Sequence, residues 1–144
     1  MKNKIKTLAA PLLCGLFVLM LLRFAIFIGY VPSVSMEPTI CAGSYVVGNR
    51  LIGNIRPGDI LVFEQSGALL VKRAAAVPGD IVYIDDARLT ITINAYLPGH
   101  TRALIIPENH YFMLGDNGSR SVDSRIWDEP FVSRQRIVAI LFKR

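Results

Sequence analysis

The stretch ALLVKRAAAVPGD, residues 68–80, combines the alternation of a strand with the signal for a tight turn. Side chains of a β-strand alternate between two faces, so Leu70, Lys72 and Ala74 lie on one face. Arg73 points to the other face. The Pro-Gly-Asp that closes the stretch is typical of a tight turn, because Pro fixes φ and Gly permits the bend. We therefore predict a strand that ends in a turn and that places a lysine among apolar and small side chains.

The chain beyond residue 32 repeats this organisation. Short apolar or alternating runs are separated by turn sequences such as Arg-Pro-Gly-Asp at 56–59 and Leu-Pro-Gly-His at 97–100. A small domain has a thin core, and closing a sheet on itself protects the edges of its strands. The sequence therefore predicts a mainly β fold over residues 32–144, a small, mostly antiparallel, partly closed β domain.

The N-terminal part of the chain has a different composition. Residues 8–31 read LAAPLLCGLFVLMLLRFAIFIGYV, an apolar run with the single charge of Arg23, and three lysines precede it in residues 1–7. This pattern predicts a cytoplasmic tail (1–7), a single transmembrane helix (8–31) and an extracytoplasmic β domain (32–144), located at the cytoplasmic membrane. A cleaved secretory signal is the alternative, although its apolar core is usually shorter.

Charge and cysteine content exclude several classes of function. The net charge is +5, and three of the positive charges are the N-terminal lysines, so the rest of the chain presents no nucleic-acid patch. Cys14 falls in the predicted membrane segment and cannot easily meet Cys41, so neither a disulfide framework nor a cysteine metal site is expected. We predict no metal and no cofactor.

The segment PSVSMEPT, residues 32–39, supplies a candidate nucleophile. Pro32 and Pro38 restrict the backbone on either side, so Ser33 and Ser35 are presented on a stiffened segment just past the apolar run. A rigid, surface-placed hydroxyl fits a nucleophile. The same composition is also typical of an ordinary loop.

A nucleophilic serine needs a base, and Lys72 is the best candidate in the sequence. His100 and His110 have no carboxylate partner in an obvious arrangement. If the face of Lys72 is the inner one, burial disfavours the ammonium and lowers its pKa, so that the neutral amine can accept a proton from Ser35. The alternative, a solvated Lys72 whose stem crosses the sheet, stays open.

The segment GDNGSRSVDSR, residues 115–125, is dense in hydroxyls and charges. Gly-Asp-Asn-Gly is a strong turn signal, and Asp116 is part of it. A hydroxyl can orient a neutral amine without raising its pKa, which makes Ser121 a plausible partner for Lys72. Asp123 and Arg125 have opposite charges and can pair to brace the loop. The alternative interpretation is a plain polar loop.

Together these segments resemble the type I signal peptidases, in their compact, single-anchor form. PSVSMEPT is similar to the nucleophile box of that family, and RPGDILVF follows it. VKRAAAVPGD is similar to the box that carries the general base, and IPENHYFMLGDN with SVDSR is similar to the last box. Four motifs in the same order cover nearly the whole chain.

The resemblance implies a Ser-Lys dyad, with Ser35 as nucleophile and Lys72 as general base. It also implies an oxyanion hole made by the Ser33 hydroxyl and the Ser35 backbone N–H. The residues that it places around the lysine, as orienting or structural support, are Ser121, Asp123, Arg125 and Asp116. This sequence departs from the family pattern at Gly118-Ser119-Arg120 and, after Trp127, at Asp128-Glu129-Pro130.

The implied function is a membrane-anchored serine endopeptidase that removes signal peptides from exported preproteins through an acyl-enzyme. Its expected partners are preprotein signal peptides with small residues before the cut and the lipid bilayer, without nucleic acid. Three alternatives remain from the sequence. They are a dedicated peptidase of a conjugation or pilus system, a self-cleaving regulator on a similar scaffold, and an inactive membrane-tethered β domain that binds exported chains.

Overall fold

The computed structural model describes residues 2–142, with side chains from residue 11 onward. The helices in this range are α1 (Lys2–Ala25) and two 3-10 helices, Gly118–Arg120 and Arg134–Arg136. The strands are β1 (Ile26–Val31), β2 (Ser44–Asn49), β3 (Ile60–Gln65), β4 (Ala68–Ala76), β5 (Ile81–Asp85), β6 (Thr90–Ile93), β7 (Arg102–Ile105), β8 (His110–Leu114), β9 (Phe131–Ser133) and β10 (Ile137–Leu141).

The strands form two antiparallel sheets. The large sheet has the order β1-β2-β10-β3-β4-β8-β9, and the small sheet has the order β6-β5-β7. The predicted mainly β, antiparallel fold is therefore confirmed. The predicted partial closure is wrong for the described residues, because β5, β6 and β7 pair with one another instead of bridging the outer strands β1 and β9.

The apolar run at residues 8–31 is not one helix. α1 ends at Ala25, and the last six residues of the run form β1, which pairs with β2 over its whole length. In β1 the side chains of Phe27 and Val31 are buried, whereas Ile28 is exposed. The prediction of a helix to residue 31 is wrong because hydropathy does not distinguish a helix from an apolar strand that continues it. Among the described residues, no helix combines the length and apolarity needed to cross a bilayer.

Both Pro-Gly-Asp sequences form the turns predicted from them. Gly58 and Gly79 have φ of 92° and 88°, the left-handed values that a type II turn requires at its third residue. In each turn the aspartate carboxylate, of Asp59 or Asp80, accepts the backbone N–H three residues earlier at 2.9 Å. Two turns of the same kind thus lead into β3 and β5.

β4 lies between β3 and β8 in the large sheet, and its alternation is the predicted one. Lys72 is 4% exposed and lies opposite the fully buried Leu61 of β3, while Ala74 on the same strand is fully buried. The lysine therefore faces the interior. The sequence alternative of a solvated Lys72 does not hold in this fold.

A buried apolar cluster joins the small sheet to the large one. Its members come from β4, β5, β8 and the residue before the turn into β8: Ala76, Val82, Ile84, Ile106 and Phe112. Close packing of buried apolar side chains holds the two sheets against each other. The small sheet is thus packed against the sheet that carries Lys72.

Candidate active site

Ser35 lies in the turn that follows β1 and is 8% exposed. The neighbouring Met36 is fully buried, and its carbonyl accepts the N–H of Ile40 at 2.9 Å. The Oγ atoms of Ser33 and Ser35 are 3.3 Å apart, within hydrogen-bonding distance. The stiffened segment predicted from the two prolines therefore presents two contacting hydroxyls, one of them largely shielded from water.

Lys72 donates a hydrogen bond from Nζ to Ser121 Oγ at 3.0 Å. Burial lowers the pKa of the Lys72 ammonium, the carboxylate of Asp123 opposes this by raising it, and the guanidinium of Arg125 lowers it again. A lysine bonded to a neutral hydroxyl loses its proton more easily than one paired with a carboxylate. The surroundings of Lys72 thus favour loss of its proton.

Gly115 allows Ser121 and Ser35 to approach each other. A Cβ at this glycine would lie 2.1 Å from Ser121 Oγ and 2.6 Å from the Ser35 carbonyl oxygen, both far inside van der Waals contact. The two serines therefore flank one backbone position that has no side chain. Since Ser121 bonds Lys72, this close approach brings the Ser35 segment and the lysine strand to one site.

Asn117 ties the Ser35 segment to the loop that contains Gly115 and Ser121. Its backbone N–H donates to the Ser35 carbonyl at 3.0 Å, and its side-chain Nδ2 donates to the Val34 carbonyl at 3.1 Å. Sequence reasoning missed both Asn117 and Gly115 as site residues, because each fits an ordinary turn residue of Gly-Asp-Asn-Gly. The periodicity of this segment contains no signal for contacts more than 80 residues away.

Asp123 and Arg125 form the predicted pair. The Arg125 guanidinium donates to both carboxylate oxygens of the fully buried Asp123, at 2.9 and 2.8 Å, and the N–H of Gly115 donates to Oδ2 at 3.0 Å. Burial raises the pKa of Asp123, but hydrogen bonds from Arg125, Gly115 and Ser121 outweigh it and hold the pKa below its usual range. The carboxylate is therefore ionised next to the Lys72–Ser121 pair.

Asp116 does not orient the lysine. Both of its carboxylate oxygens accept hydrogen bonds from Arg73, at 2.8 and 2.6 Å, on the other face of β4. Arg73 also donates to the carbonyl of Gly58 in the first Pro-Gly-Asp turn, at 2.8 Å. Asp116 and Arg73 thus connect the loop, the strand and the turn, which is the structural support expected of Asp116 but not a contact with Lys72.

The departures from the family pattern leave the lysine contact intact. Residues 118–120 form a single 3-10 turn, after which Ser121 is extended and reaches Lys72. Trp127 packs edge-on against Phe63, with ring centroids 6.1 Å apart. Within the described residues, no group of three or more His, Cys, Asp or Glu side chains could hold a metal ion.

Ser35 and Lys72 each hydrogen-bond a different serine. Among the described residues, Lys72 Nζ donates to Ser121 and the Ser35 hydroxyl contacts Ser33, without a direct Ser35–Lys72 hydrogen bond. Ser121 and the Ser35 backbone nevertheless meet at Gly115. Ser35 and Lys72 therefore belong to one cluster, in which Ser121 and Gly115 lie between them.

Replacement of Gly115 by alanine tests how tightly this cluster is packed. We expect Gly115→Ala to lower the free energy of unfolding by about 1–3 kcal/mol, because the new Cβ forces Ser121 and the Ser35 carbonyl apart. Gly118→Ala is the matched control, since its Cβ would lie 3.4 Å from its nearest neighbour, the Arg125 guanidinium. Thermal or urea unfolding in detergent compares the two variants. Equal stability would contradict the packing described at Gly115.

Known proteins with similar sequences belong to one family. A family model described as signal peptidase, peptidase S26, matches residues 4–98 and 92–143. The signal peptidase I of Pseudomonas fluorescens is 26% identical over an alignment that covers 83% of this chain and 62% of that protein. A protein of Synechocystis named probable signal peptidase I-1 is 31% identical, covering 88% of this chain and 75% of its own length.

A solved signal peptidase I of Enterococcus faecalis V583 is 27% identical, with a TM-score of 0.48, and covers 63% of this chain and 99% of that structure. The chain spans 62% of the length of the Pseudomonas fluorescens relative. The family model matches far more than half of the chain. The chain therefore belongs to the signal peptidase family, peptidase S26.

Proposed function

We propose that this protein is a serine endopeptidase that removes signal peptides from exported preproteins, with Ser35 as nucleophile and Lys72 as general base. The observation that carries the proposal is the buried Lys72 amine, which is bonded to a neutral hydroxyl in the same cluster as Ser35. Membership of the peptidase S26 family and similarity to signal peptidase I proteins support it.

The proposed reaction requires the Ser35 hydroxyl to leave Ser33 and to contact Lys72. Staggered rotamers of a serine interconvert by rotation about the Cα–Cβ bond, which moves Oγ while the backbone stays in place. We infer that this rotation turns the Ser35 hydroxyl from Ser33 toward Lys72. The Ser33 hydroxyl is then free to donate a hydrogen bond elsewhere, which the proposed oxyanion hole requires.

In the first chemical step, the neutral Lys72 amine takes the proton from Ser35 Oγ as this oxygen attacks the carbonyl carbon of the scissile bond. The Ser35 N–H and the Ser33 hydroxyl donate to the oxyanion that forms. The Lys72 ammonium then protonates the leaving amine, the C–N bond breaks, and an ester links the signal peptide to Ser35. Water, deprotonated by the same amine, hydrolyses the ester and restores Ser35.

The sheet suggests how the substrate binds. β1 is an outer strand of the large sheet and leads directly into the Ser35 segment. A peptide that adds to a free strand edge gains main-chain hydrogen bonds, while its alternate side chains enter pockets. We propose that the residues before the cut bind as an extended strand along such an edge, with small side chains at the first and third positions.

We also propose that the N-terminal segment attaches the protein to the cytoplasmic membrane, with the N-terminus inside and the β domain outside. Large apolar side chains on α1 are exposed, among them Leu12 and Phe17 at 75% and 62%. Exposed apolar area of this extent is typical of contact with lipid. Attachment of enzyme and substrate to one bilayer raises their effective concentration.

Replacement of either member of the dyad tests the reaction. We expect Ser35→Ala and Lys72→Met to lower kcat/KM for a model preprotein at least about 1000-fold, since each removes a group that acts only through the other. Ser119 is an exposed serine of the loop that supports Lys72, so Ser119→Ala is the matched control and should retain activity. Cleavage in detergent or liposomes measures all three. Turnover near the unsubstituted level in Ser35→Ala would overturn the assignment of the nucleophile, whereas no turnover by the unsubstituted protein would favour a binding domain.

The pH dependence of cleavage tests the role of Lys72 independently. Only the neutral amine accepts a proton, so the rate should rise with pH through the pKa of Lys72. Because burial lowers that pKa, the rise should occur below the value of 10.5 of an ordinary lysine. Single-turnover rates across pH give the profile. A rate that falls with rising pH over this range would exclude a lysine base.

The two cysteines of the chain report its orientation. Single-cysteine variants leave either Cys14 or Cys41. In intact cells a membrane-impermeant maleimide should label the Cys41 variant, because the proposed topology places it outside, and should not label Cys14 within the bilayer. Labelling of Cys41 only after lysis would contradict the orientation while leaving the peptidase assignment untouched.

A further inference from the structure

Arg102 of the small sheet contacts the loop that supports Lys72. Its NH2 group donates to the backbone carbonyl of Arg125 at 2.6 Å. In return, Arg125 NH1 donates to the carbonyl of Leu89, which lies next to β6 of the small sheet, at 3.3 Å. Two hydrogen bonds therefore join the small sheet to the residue that forms the ion pair with Asp123.

The position of the Arg102 guanidinium is fixed by Asp86. Nε lies 2.9 and 3.0 Å from the two carboxylate oxygens, and NH2 lies 2.5 Å from Oδ1. Hydrogen bonds from Arg102 and from Thr101 lower the pKa of Asp86, so its carboxylate is charged. The two side chains are 36% and 41% exposed, so water screens their charge interaction and the main effect of the pair is geometric. The two-pronged contact of the Arg102 guanidinium with Asp86 orients its NH2 group toward the Arg125 carbonyl.

The surroundings of Lys72 connect to Arg125 through Asp123 and Ser121. The Arg125 guanidinium holds the buried Asp123 carboxylate, the Ser121 hydroxyl helps to lower the pKa of that carboxylate, and Ser121 Oγ accepts from Lys72 Nζ. Asp123 and Arg125 are also the two charged groups that act on the Lys72 amine. A displacement of Arg125 would therefore change both the orientation and the electrostatic surroundings of Lys72.

We infer that Arg102 is a positioning residue of the active site, which acts from the small sheet through Arg125 and Asp123 on Lys72. The small sheet then has a role in the reaction although none of its strands contributes to the Ser35–Lys72 cluster. The inference rests on the proposed function for its consequence in catalysis. The contacts themselves do not depend on that function.

The sign of the effect follows from the two charges near the amine. Without Arg102, the Arg125 carbonyl loses a donor and the loop at 118–125 is less constrained. Movement of Arg125 away from Asp123 removes a positive charge that disfavours the Lys72 ammonium and exposes a negative charge that favours it. Entry of water favours the ammonium as well. All three changes raise the pKa of Lys72, so loss of Arg102 shifts activity to higher pH.

NMR titration of Lys72 measures this shift without any cleavage assay. The chain has five lysines, at positions 2, 4, 6, 72 and 143, so a chain labelled with 13C at lysine Cε gives few signals, and Lys72→Met assigns the one of interest. We expect Arg102→Gln, in the Ser35→Ala background, to shift the Lys72 titration to higher pH by about half a unit or more, the size typical of a lost nearby charge.

Arg88→Gln is the matched control. Arg88 lies beside the same small sheet and pairs with Asp85 at 3.0 Å, but its side chain is 77% exposed and donates to Asp85 rather than to the loop. Its loss should leave the Lys72 titration unchanged. If Arg102→Gln does not fold, Asp86→Asn keeps the arginine while releasing its guanidinium, and should shift the titration in the same direction. An unchanged titration in a folded Arg102→Gln or Asp86→Asn protein would overturn the inference.

Kinetics extend the test to the reaction. In the otherwise unsubstituted enzyme, Arg102→Gln should lower kcat about three- to tenfold at neutral pH, with KM changed less than about twofold, because the residue acts on the base and not on the substrate. Raising the pH should restore the rate.

If the NMR titration shifts but the unsubstituted protein cleaves no preprotein, the proposed function fails and the coupling stands. If the protein cleaves and neither titration nor pH profile shifts, only the inference fails.

Discussion

The hydrogen bond from the buried Lys72 amine to Ser121 is the contact on which the site depends. An amine on an interior face of a sheet must find a polar partner, and a hydroxyl satisfies it without fixing its charge. A carboxylate in direct contact would hold the proton on the lysine. In this structure Ser121 lies between the Lys72 amine and the Asp123 carboxylate, and Arg125 balances the charge of that carboxylate. The order of these groups keeps the lysine both buried and able to lose its proton.

Two ion pairs on opposite faces of β4 give the site its rigidity. Asp123 and Arg125 brace the loop on the face of Lys72, while Asp116 and Arg73 tie the same loop to β4 and to the first Pro-Gly-Asp turn on the other face. Strand alternation separates Lys72 from its neighbour Arg73, so one strand provides a candidate base inside and a structural cation outside. The contact of Arg102 extends this bracing to the small sheet.

Much of this arrangement could be predicted, and the parts that could not have a common cause. The strand with Lys72, the Pro-Gly-Asp turns and the Asp123–Arg125 pair depend on neighbours in sequence, and all are present. Asn117 and Gly115 were missed because their partners at Val34 and Ser35 are distant in the chain. The end of α1 at Ala25 and the separate small sheet were also missed, since hydropathy does not record which strands pair.

Local patterns were enough to predict a mainly β chain, Lys72 on the opposite face from Arg73, and Ser33 and Ser35 on a segment held between prolines. Alternation and turn chemistry act over a few residues, so they can be read without coordinates. Long-range packing settled which face of β4 is the inner one, showed that the plausible partner Ser121 does contact Lys72, and placed Asp116 against Arg73. Each of these depends on long-range packing, which brings together residues that no local pattern relates.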